Sequence, residues 1–265
     1  MTKTNLIAKR ISFIIIALLL TSDLSMAKDK KLSTLELINI AGQQRMLSQR
    51  ISKDYLYKGG NIAVSKATRQ LAQTLKSSIL SQQKLESSIK DEKILNLLEF
   101  VQMNNEDIII KTKDKFTIDN AEYVLDLSES MLEGNEYVMK ALKKSEKIGA
   151  SSTLVDISSR QSMLAQRISK YYIAYQLGIK DDNTINQMNK AVGEFTKNHK
   201  ILLANSSNTE EINKKLQKVD RLWSVVYKFY LDIEAGGLPL IVFNTADDIT
   251  KKMTQITNLF SKLDK

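Results

Sequence analysis

The chain has 265 residues, 43% hydrophobic and 26% charged, with 9 glycines, 1 proline, no cysteine, 1 histidine and a formal charge of +9. Without cysteine it has no disulfide, zinc-thiolate site or thiol chemistry, and one histidine makes no histidine metal cluster. Few chain breakers and many Leu, Ile, Lys, Gln and Ser predict an all-α protein, long enough for one or two hydrophobic cores.

Lys3, Lys9 and Arg10 precede an apolar run from Ile11 to Leu20, and Ser25-Met-Ala27 supplies a small-x-small cleavage site. This pattern predicts a signal peptide over 1–27 and a mature chain that is periplasmic or secreted, with no transmembrane anchor after cleavage. Loss of Lys3, Lys9, Arg10 and Asp23 with the leader takes the charge from +9 to +7. Export argues against nucleic acid as partner. The surplus then suits small anions, anionic surfaces or simple solubility.

Lys28 to Lys31 form a charged lead-in. Helix one is predicted from about Ser33 to Lys58, opened by the Ser33-x-x-Glu36 capping box and stopped by Gly59-Gly60. Helix two covers about Asn61 to Lys90 and turns Leu71, Leu75, Ile79 and Leu85 inward. Helix three runs from Glu92 to Lys113, and helix four from a cap at Thr117 or Asp119 to about Lys147. Gly149 to Ser152 is the predicted junction. Helix five ends at Leu177-Gly178, and helix six runs from about Asp181 to Ala204. Helix seven covers Thr209 to about Ala235. Gly236-Gly-Leu-Pro239 is the strongest breaker, and helix eight is placed from about Ala246 to Leu263.

Two of these helices carry one motif. Leu37 to Tyr55 returns as Leu154 to Tyr172 at an offset of 117, with 11 of 19 positions identical. The offset is the length of a small domain rather than of a solenoid repeat of ~20–50 residues. It predicts a tandem duplication: two up-down four-helix bundles, residues 28–148 and 149–265. Side-by-side bundles would let the motif helices pack on each other in the same direction, whereas fusion of helices four and five would stack the bundles end to end.

At ~100° per residue, Ile38, Ala41, Gly42, Arg45, Gln49 and Ser52 share one stripe. Val155, Ser158, Ser159, Ser162, Gln166 and Ser169 are its counterpart. Arg50 and Lys53 recur as Arg167 and Lys170 on a different face.

The segment Ile38-Asn-x-Ala-Gly-x-x-Arg-Met-x-Ser-x-Arg50 resembles the first helix of the PilJ-type domain, the N-terminal sensor domain of type IV pili methyl-accepting transducers. It is also similar to the helix of the NarX-type nitrate/nitrite sensor kinases. The resemblance implies a periplasmic four-helix bundle that dimerises. It also implies that Arg45 meets its symmetry mate and holds nitrate or nitrite between subunits. The second copy departs from the pattern: Ser162 stands at the place of Arg45, and Ser158-Ser159 replace Ala41-Gly42.

Nothing in the sequence points to catalysis. No nucleophile motif or phosphate loop is present in its required context, and no cofactor is implied. His199 is expected on the surface, Met46, Leu47, Met163, Leu164 and Trp223 in the core, and Tyr55, Tyr57, Tyr171, Tyr172 and Tyr175 at the bundle end.

Two readings result. The first is an exported ligand-binding sensory protein that holds a small oxyanion through Arg45, Gln49, Ser52, Arg50, Gly42, Ser162 and Gln166. It signals through a homodimer mate or a membrane-bound sensor. The second is a non-catalytic structural or interaction module, in which Arg45 pairs with a carboxylate and the stripe is a helix seam.

Overall fold

The computed structural model describes residues 32–144 and 150–263, with the backbone alone for Ala150 and Ser151. The predicted leader over 1–27, the lead-in at 28–31, the predicted end of helix four near Lys147 and the first junction residue, Gly149, lie outside the described residues. Among the described residues the secondary structure is helical, without strands.

The helices are α1 (Thr34–Gly59), α2 (Val64–Ser88), α3 (Glu92–Lys111), α4 (Ile118–Lys144), α5 (Ala150–Gln176), α6 (Asp182–Leu203), α7 (Glu210–Leu231) and α8 (Pro239–Phe260). The starts follow from caps. Ser33 and Glu36 close a full capping box on α1. Asp91, Asp181 and Thr209 accept backbone N–H bonds at α3, α6 and α7, satisfying donors that a helix start leaves free.

Three expectations are corrected. α8 begins at Pro239 rather than near Ala246, because a proline ring is pre-set for a first helical turn and loses no needed donor there. α7 ends at Leu231, ahead of the glycine pair. The buried face of α2 is Ala67, Leu71, Thr74, Ser78, Gln82 and Leu85, and Ile79 is exposed. That face is polar at its centre, where it exchanges hydrogen bonds with Gln44 of α1: Gln44 donates to Ser78 O and Gln82, and the Ser78 hydroxyl donates back to Gln44.

The described residues from Ser33 onward form one compact unit. α1 packs against α2 and α4, α3 lies against α4, and α2 touches α3, so the first four helices close a ring. α5 to α8 close a second ring through the same order of neighbours. The most extensive packing in the molecule is between α1 and α5, which join the rings. Gly42 lies on Ser159, and Tyr57 reaches Ser169 at 3.3 Å, so the two helices run in the same direction, side by side.

The α1–α5 seam is where the small residues are needed. A Cβ on Gly42 would sit 2.7 Å from the Ser159 hydroxyl oxygen, so only glycine allows this approach. Both predicted stripes are buried along their length, Gln49, Ser52, Gln166 and Ser169 included. Tyr57 and Tyr172 are fully buried near the far end of the seam.

Candidate functional site

Arg45 lies at the seam with no exposed surface. One Nη donates to Glu136 at 3.2 and 3.3 Å. The other donates to Asp156 at 2.8 Å and to Ser159 Oγ at 2.9 Å. Glu136 also takes Arg160 at 2.7 Å, Asp156 takes Lys143 at 2.8 Å, and Arg160 reaches Glu194 at 3.1 Å. Three cations thus face three carboxylates in a network that closes its own charge. Burial works against the Asp156 carboxylate, but Arg45 and Lys143 outweigh it and hold its pKa below the usual range. The guanidinium that the family resemblance assigns to an oxyanion is occupied here by side chains of α4 and α5.

The other predicted ligand residues are divided between seam and groove. Gln49 donates to Ser128 O at 2.9 Å, and Gln166 donates to Ala246 O at 3.4 Å and Thr250 Oγ1 at 2.7 Å. Ser162 is bonded to Thr250 O at 3.5 Å, Ser52 is buried, and Gly42 is the close-contact point of the seam. Arg50 alone of this set stands at the side of a large cavity, the groove between α2 and α8.

The two motif helices repeat their bonding pattern. Gln44 donates to Ser78 O at 3.0 Å, and Gln161 donates to Phe195 O at 3.0 Å, each partner also 117 residues on. Lys53 of α1 reaches across to Asp247 of α8 at 2.7 Å. Lys170 of α5 reaches back to Glu129 of α4. Each ring therefore lends a counter-ion to a buried lysine of the other. Sequence reasoning missed Glu129, Asp247, Glu136, Asp156 and Asp54. The available signal was the recurrence of Arg-x-x-Lys, since a buried lysine requires a partner.

The two clusters differ in detail. In the second, Glu129 takes Lys170, Arg167 Nε at 3.2 Å and Arg167 Nη2; Arg167 also donates to Gln187 at 2.9 Å. Burial disfavours the Glu129 charge, but Lys170 and Arg167 prevail and lower its pKa to about 2. Burial lowers the fully buried Lys170 to about 8, with Glu129 opposing.

In the first cluster, Asp247 takes Lys53, Lys66 at 3.1 Å and Gln70 at 2.7 Å. Against the cost of burial, Lys53 and Arg50 keep it well below the usual carboxylate range. Asp54, where the second copy has Tyr171, is buried 3.1 Å from Lys53. Burial raises its pKa to about 6 despite Lys53 and Arg50.

Each cluster lies beneath a groove. The groove over α5, between α4 and α6, has a volume of about 990 Å³. Glu122, Asp126, Glu129, Glu133 and Glu136 line it in one stripe along α4. The groove over α1, between α2 and α8, has a volume of about 700 Å³ and is lined by Arg50, Lys84, Lys251 and several Ser, Thr and Gln side chains.

His199 is buried against Phe195 rather than on the surface, correcting the sequence expectation, because α7 packs over this face, with Trp223 stacked on Phe195 and Asp220 3.6 Å from His199 Nε2. Among the described residues no group of three or more His, Cys, Asp or Glu is placed to hold a metal ion. Among them, too, no helix is long and apolar enough to cross a membrane.

Residues 28–104 match the PilJ family, described as type IV pili methyl-accepting chemotaxis transducer N-term. The match spans α1, α2 and the first part of α3, and ends before the second motif helix. No curated protein matches the chain, and no solved structure does.

Proposed function

We propose that the chain is an exported, non-catalytic sensory module of the PilJ type, in which tandem duplication brings the family's dimer seam inside one polypeptide. The observation that carries this reading is the α1–α5 seam. Two copies of one motif pack in the same direction there, with Gly42 on Ser159 and counter-ions exchanged between the rings. A helix seam of this kind is an element on which a sensor's ligand can act, by favouring one of two packings. Ligand occupancy then passes to a separate membrane-bound partner.

In this reading Arg45 holds the seam. A nitrate ion at Arg45 would have to displace Glu136 and Asp156, both already in place. The second reading, a plain interaction module without a small ligand, is favoured by the same closed network.

Thermal unfolding in nitrate, nitrite, chloride and sulfate at matched ionic strength tests the assignment, with Arg45→Ala as the variant. We expect Arg45→Ala to lose about 3 kcal/mol, because Glu136 and Asp156 lose a buried partner, and nitrate to give no shift beyond chloride. A nitrate-specific gain that vanishes in Arg45→Ala would return the oxyanion to Arg45. At ~100 times its dissociation constant, such a ligand adds about 2.7 kcal/mol.

A further inference from the structure

We infer that the groove between α2 and α8 binds a small hydroxylated organic carboxylate through the guanidinium of Arg50. The inference rests on the sensory reading above and supplies its ligand class.

Arg50 is the arginine of the motif helices whose donors are idle. Among the described residues its guanidinium makes no hydrogen bond. Its two ion pairs are long, 3.6 Å to Asp247 and 3.8 Å from Nε to Asp54, and the buried Nε has no hydrogen-bond partner. Its counterpart Arg167 spends Nε and Nη2 on Glu129 and Gln187. The same contrast holds one helix away. The Gln187 carbonyl oxygen accepts from Arg167, whereas the Gln70 carbonyl oxygen is buried with no donor.

Asp247 does not satisfy Arg50, because Lys53, Lys66 and Gln70 already hold its two oxygens at 2.7, 3.1 and 2.7 Å. A guanidinium that is three-quarters covered and held only by two long ion pairs keeps a desolvation cost that a hydrogen-bonding anion reduces. Its planar, parallel donors match a carboxylate in bidentate fashion.

The remainder of the groove selects the rest of the ligand. Its volume of about 700 Å³ suits a small organic molecule. Ser77, Ser81, Thr254, Gln43 and Gln255 offer uncharged donors and acceptors, and Lys84 and Lys251 flank them. A hydroxylated chain with a terminal carboxylate uses both sets. A bare inorganic oxyanion leaves the hydroxyl and amide groups idle, and a neutral sugar leaves the guanidinium idle. Arg50, Lys84 and Lys251 outnumber Asp247 and Asp248 in this groove. In the groove over α5, seven carboxylates face four cations, which repels the same ligand.

The test is calorimetric titration of the full chain with sodium gluconate, and with glucose, acetate and nitrate at matched ionic strength. Gluconate is expected to bind, acetate more weakly, and glucose not at all. Arg50→Gln is expected to weaken gluconate roughly 10- to 100-fold, the worth of charge-assisted hydrogen bonds. Lys251→Gln, on the exposed wall, is expected to weaken it severalfold with an unchanged unfolding midpoint, which keeps the test valid if Arg50→Gln folds poorly.

Gluconate affinity unaltered in both variants overturns the site. So does the absence of any gluconate heat at millimolar concentration. Nitrate binding lost in Arg45→Ala, with no response to gluconate, overturns this site and restores the seam arginine as the receptor. Gluconate binding through Arg50 alongside nitrate binding through Arg45 supports the groove and overturns the seam role given to Arg45.

Discussion

The floors of the two grooves carry the same Arg-x-x-Lys pair, and the neighbouring helix puts it to different uses. Over α5, Glu129 and Gln187 take every reaching donor of Arg167, and Glu129 also takes the charge of Lys170. Over α1, Lys53, Lys66, Gln70 and Gln166 crowd onto Asp247, Asp54 stands beside Lys53, and among the described residues Arg50 makes no hydrogen bond. An arginine is thus a hydrogen-bonded strut or a loosely ion-paired group with unbonded donors according to where the adjacent helix places its carboxylates. The motif that carries it does not decide this.

The largest expected effect comes from removing the acceptor on which the second cluster depends. Glu129→Gln leaves the fully buried Lys170 and the mostly buried Arg167 without a carboxylate, a loss of about 3–5 kcal/mol in urea unfolding. Asp247→Asn is expected to cost clearly less, since Asp54 remains 3.1 Å from Lys53. Equal losses in the two variants would erase the contrast.

The second effect concerns pH. Asp54 has a folded pKa raised to about 6 from 3.8, so it binds its proton more tightly when folded. Its contribution is fully present below about pH 4 and is lost as pH rises through about 6, a change of about 3 kcal/mol. Glu129, lowered to about 2 from 4.5, acts in the opposite sense: its contribution is present above about pH 4.5 and is lost toward pH 2. Asp54→Asn should flatten the stability profile between about pH 4 and 6 and leave the acid arm unchanged. A profile in that window identical to wild type would place the titration elsewhere.

A smaller effect tests the seam. Gly42→Ala puts a Cβ against Ser159 Oγ and Cβ at 2.7 and 2.9 Å, and an overpacking cost of about 1–3 kcal/mol is expected. The double variant with Ser159→Gly should cost less than the sum of the singles, because the clash belongs to the pair. Additive losses would mean that the two residues do not meet. The smallest effect is expected at the rim: Lys66→Ala loses an ion pair to Asp247 in which Lys66 is 37% exposed, worth under about 1 kcal/mol by thermal unfolding.

Much of the helical pattern was legible in the chain. The capping box at Ser33 and Glu36, the Gly59-Gly60 stop and the caps at Asp181 and Thr209 act over three or four residues, so local sequence contains the whole of the signal. The misplaced start of α8 shows the limit: Gly236-Gly-Leu-Pro239 was read as a breaker, yet its proline is the first residue of the helix. The burial of His199 and the exposure of Ile79 were not legible, because each depends on what a distant helix lays over that face.

For the candidate site, the sequence by itself determined which residue types recur: an Arg, a Lys, two Gln and a Ser at fixed spacing on two helices, with Gly42 small enough for a close approach. It also marked the first copy as PilJ-like. What those residues do was decided by tertiary structure alone. Arg45 meets Asp156 at a separation of 111 residues, and Lys53 meets Asp247 at 194. Charges so far apart in the chain leave no mark on local periodicity. Their pairing depends on the angle and register at which α4 and α8 pack beside the α1–α5 seam, and that geometry closes the network around Arg45 and leaves Arg50 with two long ion pairs.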